Sequence, residues 1–303
     1  MKSPPRRSVK PYPSWTPWFF LAPFALVFTA FVAWPLFRSL MLSLEQTYGP
    51  STTVFVGLRN FTFIFRDPQF WKALSNTAIF TLGSVFLQLP IALGLALLLN
   101  RPTLRGRTAF RLIFFAPSLV GLVFVALLVA QVFDKRTGLV NLALHALFPA
   151  WNLDFAWLEQ HVMVTLILSA LWLYAGFNMV YFLAALQNVP PDLIDAASID
   201  GANRWQQFWH VTLPEIRPIA SLVLLLSVSG SFQLFELPFI IFNATGNPGG
   251  PNESALTIVM YLYQTGFLVG DLGYASAIGW VLALLLMTVA LIQRRLARRE
   301  EHG

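Results

Sequence analysis

The sequence predicts an all-α integral membrane protein with six transmembrane helices and a short cytoplasmic helix between the fourth and the fifth. Of its 303 residues, 56% are hydrophobic and only 11% are charged, whereas about a quarter of a soluble domain is charged. Six apolar runs approach the length of about 20 residues that an α-helix needs to cross a bilayer. The Lys and Arg residues lie beside these runs. The net charge of +6 therefore reflects membrane topology and does not indicate binding to nucleic acid.

The six predicted spans follow one another with polar segments between them. The first run is long, aromatic and interrupted by Pro23 and Pro35, so it is predicted to be a retained span and not a cleaved signal peptide. A seventh apolar stretch, 255–269, is short and contains Tyr261 and Tyr263. It is predicted to lie at the interface or to fold only partway into the membrane. The predicted spans are residues 18–37, 73–99, 110–132, 162–186, 219–242 and 273–292.

The distribution of positive charge orients these spans. Six spans place both termini on one side, and that side carries fourteen of the 20 Lys and Arg residues. Because Lys and Arg are concentrated in cytoplasmic segments, both termini and the segments near 100–111 and 188–217 are predicted to be cytoplasmic. The segments 44–72, 134–160 and 244–272 are then predicted to face outward.

Several classes of chemistry have no candidate residues in the sequence. Cysteine is absent, and the four histidines are scattered, so neither a disulfide framework nor a metal site is predicted. The sequence has no Gly-x-x-x-x-Gly-Lys-[Ser/Thr] segment that could cradle nucleotide phosphates. No nucleophile–base pair is recognisable. The chain is therefore predicted not to be an enzyme and to hold no cofactor of its own.

A polar island, residues 190–214, interrupts the apolar sequence between the fourth and fifth spans. Pro191 suits the first position of a helix, Asp192 and Asp195 suit its N-terminal turns, and Gly201 suits the left-handed position after its end. An isolated helix this short is marginal in water, so we expect it to dock on another protein. A second helix over 203–211 is predicted to end at Pro214. Its aromatic residues, Trp205, Phe208 and Trp209, are predicted to face the bundle.

This island resembles the EAA motif of permease subunits from binding-protein-dependent ABC importers, which have the MetI-like fold. Shorter matches to the carbohydrate-uptake branch of that family occur in order at 57–61, 70–77, 105–117, 232–251 and 273–277. One departure is Asp195, where the family usually has Glu. The residues that carry the main match are Asp195, Ala196, Ala197, Asp200, Gly201, Ala202, Phe208, Leu213 and Pro214.

The resemblance implies a division of labour between subunits. Two permeases, generally different ones in this branch, would form the pore in the cell inner membrane. Two ATPase subunits would hold ATP–Mg and dock on the island, and an external binding protein would deliver the substrate. The implied domains are an N-terminal tail 1–17, the first span and outer segment 18–72, the permease domain 73–295 and a C-terminal tail 296–303. The implied ATPase-coupling residues are Asp195, Ala196, Ala197, Asp200, Gly201, Ala202 and Pro214.

Polar residues inside the predicted spans are candidates for the substrate path, because such residues are rare and usually functional. Glu236, Gln233 and Ser229 are spaced to share one helix face in the fifth span, and the fourth span offers Asn178 and Tyr181. The alternative for Glu236 is a contact with the partner permease or with water at the outer mouth. The polar residues of the second span, Asn76 and Gln88, are interpreted as interhelical hydrogen-bonding groups.

Two questions stay open at this point. A secondary transporter driven by an ion gradient is the alternative function, although it would predict internal repeats and leaves the island unexplained. The substrate could be a sugar, an oligosaccharide or a glycerol phosphate ester. Apart from Arg111 at the cytoplasmic end of the third span, the predicted spans contain no Lys or Arg that could bind a phosphate, which favours a neutral sugar.

Overall fold

The computed structural model describes residue 13 and residues 15–48, 52–243 and 246–300. Most of the predicted N-terminal tail and residues 301–303 of the C-terminal tail lie outside the described residues. The first elements are α1 (Thr16–Phe28), α2 (Trp34–Ser43), β1 (Glu45–Tyr48), β2 (Thr52–Phe55), α3 (Arg59–Ile64), α4 (Pro68–Leu99), α5 (Arg107–Phe115), α6 (Leu122–Val132), α7 (Leu139–Leu147) and α8 (Trp157–Gln160). The remaining elements are α9 (Val162–Gln187), α10 (Pro191–Ile199), α11 (Arg204–Gln207), α12 (Leu213–Phe232), α13 (Glu236–Asn243), α14 (Ile258–Tyr263) and α15 (Leu272–Glu300).

Within the described ranges, five helical stretches are long and apolar enough to cross a membrane, and a sixth is obtained if one sharply bent pair counts as a single span. The five are Thr16–Ser43, Pro68–Leu99, Val162–Gln187, Arg204–Asn243 and Leu272–Arg295. Each overlaps a predicted span. The predominantly helical membrane architecture is therefore as predicted.

The prediction of a purely α-helical chain is wrong in one place. After α2 the chain forms a two-stranded antiparallel hairpin, in which Glu45 pairs with Phe55 and Thr47 with Thr53. The side chain of Asn60 donates to the carbonyls of Ser43 (3.0 Å) and Glu45 (2.8 Å). These bonds fix the turn from the first span into the hairpin, because buried backbone carbonyls need donors.

The third predicted span is not a single straight helix. Its two halves, Arg107–Leu119 and Leu122–Val132, meet at an angle of 99°. Pro117 lacks the N–H that a continuing α-helix would use. Residues Ala116–Leu119 form a 3₁₀ turn instead, and the backbone is extended at Val120 and Gly121.

The fifth predicted span differs from the sequence-based expectation at both ends. It begins far earlier, because α11 runs through a π-helical segment (Phe208–Thr212) directly into α12. Pro214 therefore does not end the second island helix. It lies inside this continuous helical stretch, directly after the π-helical segment, where the regular α-helical hydrogen-bond pattern is already interrupted. Trp205 (69% exposed) and Trp209 (46% exposed) are also not turned into the described bundle.

The same span is broken at residues 233–235, between α12 and α13. Pro238 explains the break. In an unbroken α-helix the carbonyl of Leu234 would accept from the N–H of residue 238, which a proline lacks, and the proline ring would clash with that carbonyl.

The stretch 255–269 folds back against the bundle. Ile258–Val269 is an apolar helix too short to be counted as a span, as predicted. Ile258, Met260 and Tyr261 are buried in a cluster with residues of α4, α12 and α15. Its first half is therefore packed inside the fold, whereas Phe267, Leu268 and Val269 at its end are exposed.

The core is organised around α4. Its first half packs with α12, α14 and α15, and its second half packs with α9 and α12. Gly176 of α9 allows the tightest approach, since a Cβ atom there would lie 1.8 Å from the carbonyl oxygen of Phe114 in α5. The second half of span five, α13, packs on α6.

Candidate functional site

The helix α10 stands out from the bundle. It begins at Pro191, as predicted, and none of its residues is buried; Ile199 is 87% exposed. Its contacts are mainly with α11 and the π-helical segment after it. The side chain of Gln207 joins the two by donating to the hydroxyl of Ser198 (3.0 Å).

The end of α10 is closed by a tight hydrogen-bonded cap. The N–H of Ala202 donates to the carbonyl of Ala197 (2.9 Å), and the N–H of Gly201 donates to that of Ser198 (3.1 Å). Gly201 has a φ of +82°. This pair of bonds with a left-handed residue is the Schellman arrangement, so the predicted role of Gly201 in the backbone is confirmed.

The chain then re-enters a helix through a second cap. Asn203 accepts from the N–H groups of Trp205 (3.1 Å) and Gln206 (3.0 Å), and the Gln206 side chain accepts from the N–H of Asn203 (2.8 Å). This reciprocal pair is a capping box. The two caps fix the backbone between α10 and α11, and the small residues Ala196 and Ala197 of α10 stay exposed or half-buried.

A second candidate site is a cavity of about 480 Å³ between α4, α9, α12 and the break in span five. Its wall combines aromatic rings with hydroxyl, amide and carboxylate groups. The lining residues are Phe80, Ser84, Gln88, Leu122, Ala170, Tyr174, Phe177, Asn178, Leu226, Ser227, Gly230, Ser231, Gln233, Leu234, Phe235 and Glu236.

The cavity brings together some of the predicted path residues and leaves out others. Glu236, Gln233 and Asn178 line it, whereas Ser229 and Tyr181 do not. Leu226, Ser227, Gly230 and Ser231 form the face of α12 that lines the cavity, and Ser229 lies off that face. Its carbonyl accepts from the Gln233 side chain (3.1 Å). Tyr181 packs against Phe177 with ring centroids 5.2 Å apart.

Residues of α4 complete the cavity wall. Phe80, Ser84 and Gln88 all line it, and their spacing of four could have identified this stripe from the sequence. Gln88 is therefore placed at the cavity, not in the interhelical bond expected for it. Asn76 does bond to another element, donating to the carbonyls of Glu253 (2.8 Å) and Leu256 (2.9 Å).

The sequence reasoning missed a buried cluster at the other end of the bundle. The carboxyl of Asp67 caps α4 by accepting from the N–H of Gln69 (2.9 Å) and accepts from the hydroxyls of Tyr274 (2.5 Å) and Tyr261. It thereby ties the starts of α4, α14 and α15 together. Burial, and then the bond to Asp67, raise the pKa of Tyr261. The pair Asp67-Pro68 is a helix-start signal that could have indicated the cap.

A family model described as "Binding-protein-dependent transport system inner membrane component" matches residues 88–302. This chain belongs to that family. It is a transport permease and a multi-pass inner-membrane protein. The family assignment does not support the ion-gradient alternative.

Individual relatives extend the similarity to nearly the whole chain. The arabinooligosaccharides transport system permease protein AraP of Bacillus subtilis (strain 168) is 36% identical over 287 residues, which cover 93% of this chain and 88% of that protein. The lactose transport system permease protein LacF of Rhizobium radiobacter is 33% identical over 307 residues, covering 99% and 100%.

A solved structure shares the fold. A crystal structure of a bacterial alginate ABC transporter, in complex with an alginate pentasaccharide-bound periplasmic protein, contains a chain that is 27% identical to this permease. The two superpose with a TM-score of 0.81 and cover 94% of each other.

Proposed function

We propose that this permease is one of two membrane subunits of an ATP-driven importer and forms part of the path for a carbohydrate delivered by an external binding protein. Two ATPase subunits bind ATP–Mg and hydrolyse it, and the permease itself performs no chemistry. The second membrane subunit is a different permease. The permease domain spans 73–295.

The observation that carries this proposal is the exposed helix α10, between the fourth and fifth membrane-spanning stretches, which ends in a Schellman cap and is followed by a capping box at the start of α11. A helix of nine residues with no buried side chain gains little from its own bundle, and the two caps fix the backbone that connects it to α11. These features suit a docking element to which an ATPase subunit binds. Asp195, Ala196, Ala197, Asp200, Gly201 and Ala202 are proposed as the docking surface, with Pro214 in the helix that transmits the motion.

The topology follows from the same proposal. The arginine-rich side, with both termini and α10, is cytoplasmic, and the bent pair α5–α6 completes six spans. The hairpin, the Asp67 cluster and α7 then face outward, where the binding protein docks.

The cavity supports a carbohydrate as the substrate. Asn178, Gln233 and Glu236 offer amide and carboxylate groups for sugar hydroxyls, and Phe177 and Phe235 offer apolar ring faces. No Lys or Arg is among the lining residues that the structure describes, so an oligosaccharide without phosphate fits best. The names of the relatives AraP and LacF agree with this class.

The test is uptake by the complete importer reconstituted in proteoliposomes with its binding protein. Radiolabelled arabinotriose and lactose serve as probes, with ATP enclosed or omitted and with ionophores that collapse ion gradients. The proposal expects uptake of at least one sugar that requires ATP and survives ionophores. Uptake that persists without ATP and disappears with ionophores would contradict it.

A further inference from the structure

The break in span five leaves the carbonyl of Leu234 without its α-helical partner. Pro238 has no N–H for the carbonyl of Leu234, and groups inside a membrane bundle need internal partners because lipid offers none. The hydroxyl of Thr257 supplies the missing donor, at 2.6 Å from the Leu234 oxygen. Thr257 is completely buried.

The same hydroxyl has a second bond. It accepts from the N–H of Met260 (3.3 Å) and so caps the start of α14. The Thr257 hydroxyl thus acts as a donor toward span five and as an acceptor toward α14, as a hydroxyl can. Thr257 therefore links the break in span five directly to the stretch 255–269 that folds back against the bundle.

The chain on either side of Thr257 is fixed to α4. Asn76 donates to the carbonyl of Leu256 (2.9 Å), and the hydroxyl of Thr77 accepts from the N–H of Ile258 (3.0 Å). Asn76 and Thr77 are themselves buried. Thr257 is consequently held from both sides and acts as a fixed point for the Leu234 carbonyl.

Leu234 lies between the two polar side chains that span five contributes beside the break, Gln233 and Glu236. We infer that Thr257 is a positioning residue that holds the break in the geometry presenting Gln233 and Glu236 to the cavity. The inference rests on the proposed function in treating this cavity as part of the substrate path. Without the hydroxyl, the Leu234 carbonyl must turn toward another donor, and both neighbours turn with it.

Cysteine labelling tests the inference without transport. The chain contains no cysteine, so Gln233→Cys or Glu236→Cys introduces a single thiol whose modification is read from the mass of this chain. A small neutral methanethiosulfonate is the probe, and the full-length chain with its partner subunits in lipid nanodiscs is the sample. Tyr174→Cys, on the α9 wall of the same cavity, is the control position.

Thr257→Val removes the hydroxyl and keeps the shape, whereas Thr257→Ser keeps the hydroxyl. We expect Thr257→Val to change the labelling rate at 233 and 236 roughly fivefold or more and to leave the rate at 174 within error. Thr257→Ser should behave as the parent. Should the valine variant fail to assemble, Thr257→Ala is measured against the same criteria.

Three outcomes would overturn the inference: unchanged rates at 233 and 236, equal changes at all three positions, or a serine variant that matches the valine variant. The labelling needs neither ATP nor substrate, so it is read in the same way if ATP-driven uptake is absent. Absence of that uptake would contradict the proposed function alone.

Discussion

Glu236 contributes the carboxylate among the described side chains that line the cavity. It begins α13 directly after the break in span five, where negative charge suits the helix dipole. Glu236 could therefore stabilise the start of α13, contact the substrate in the cavity, or do both, and a substitution can separate these roles.

Glu236→Gln removes the charge and keeps the shape. We expect KM for the transported sugar to rise roughly tenfold or more, because a hydrogen bond to a charged group is worth about 1.5–3 kcal/mol. Glu215→Gln is the matched control, since Glu215 is exposed in the first turn of α12 and lies outside the cavity. Equal KM values for both variants and the parent, measured as ATP-driven uptake, would exclude Glu236 from the path.

Tyr274→Phe tests the buried cluster at Asp67. The change deletes one donor to the carboxyl and should lower stability by about 1–3 kcal/mol, seen as a lower thermal unfolding midpoint in detergent. Tyr263→Phe is the control, because the Tyr263 ring keeps its contacts with Phe235 and Phe239. A midpoint for Tyr274→Phe equal to that of the control would mean that the cluster contributes little.

At the scale of elements, α10 depends on the backbone of one residue. A Cβ atom added at Gly201 would meet nothing within 4 Å. The φ of +82° at this residue nevertheless disfavours β-branched side chains. Gly201→Val should distort the cap and lower uptake and retention of the ATPase subunits, with the bundle intact. Gly201→Asn should retain most of both, because Asn tolerates the left-handed region. Loss of activity in both variants alike, or in neither, would show that the cap geometry is not the cause.

Helix packing gives a second test at this scale. Gly176→Ala would place a Cβ atom 1.8 Å from a carbonyl oxygen of α5, so α9 and α5 must separate at a cost of about 1–3 kcal/mol. Gly94→Ala, in α4, meets nothing within 4 Å and should be neutral or slightly stabilising. The comparison is made by thermal unfolding of the two variants side by side, and equal midpoints would contradict the close approach.

The elements also mark the limit of what the sequence predicts. Apolar runs predict where helices lie, because burial in lipid requires them. They do not predict the sharp bend at Pro117 or the break at Pro238, since each run is apolar enough on average to be predicted as one uninterrupted span. Both prolines are visible in the sequence, and each removes a specific N–H. Of the proposed path residues in span five, Gln233 and Glu236 line the cavity and Ser229 does not, and the sequence alone does not specify which face of α12 lines it.

At the scale of the whole molecule, the membrane class and the family follow from composition and from the island 190–214. Long-range pairs do not. Asp67 with Tyr274, and Thr257 with Leu234, join residues far apart in the chain, and nothing in a single sequence specifies such partners. The helix α10 is exposed, and the first span is unburied over its most apolar window; these are the surfaces expected to meet lipid and the proposed partner subunits.

Affinity purification of this permease from its native membrane in mild detergent, with mass spectrometry of the proteins that accompany it, tests the proposed division of labour most directly. We expect a Walker-motif ATPase and a second permease of different sequence. Gly201→Val should reduce recovery of the ATPase, whereas Gly201→Asn should retain it, and the second permease should be recovered with both variants. Recovery of the chain alone in monodisperse form after gentle extraction would contradict the proposal that an ATPase moves this subunit through α10.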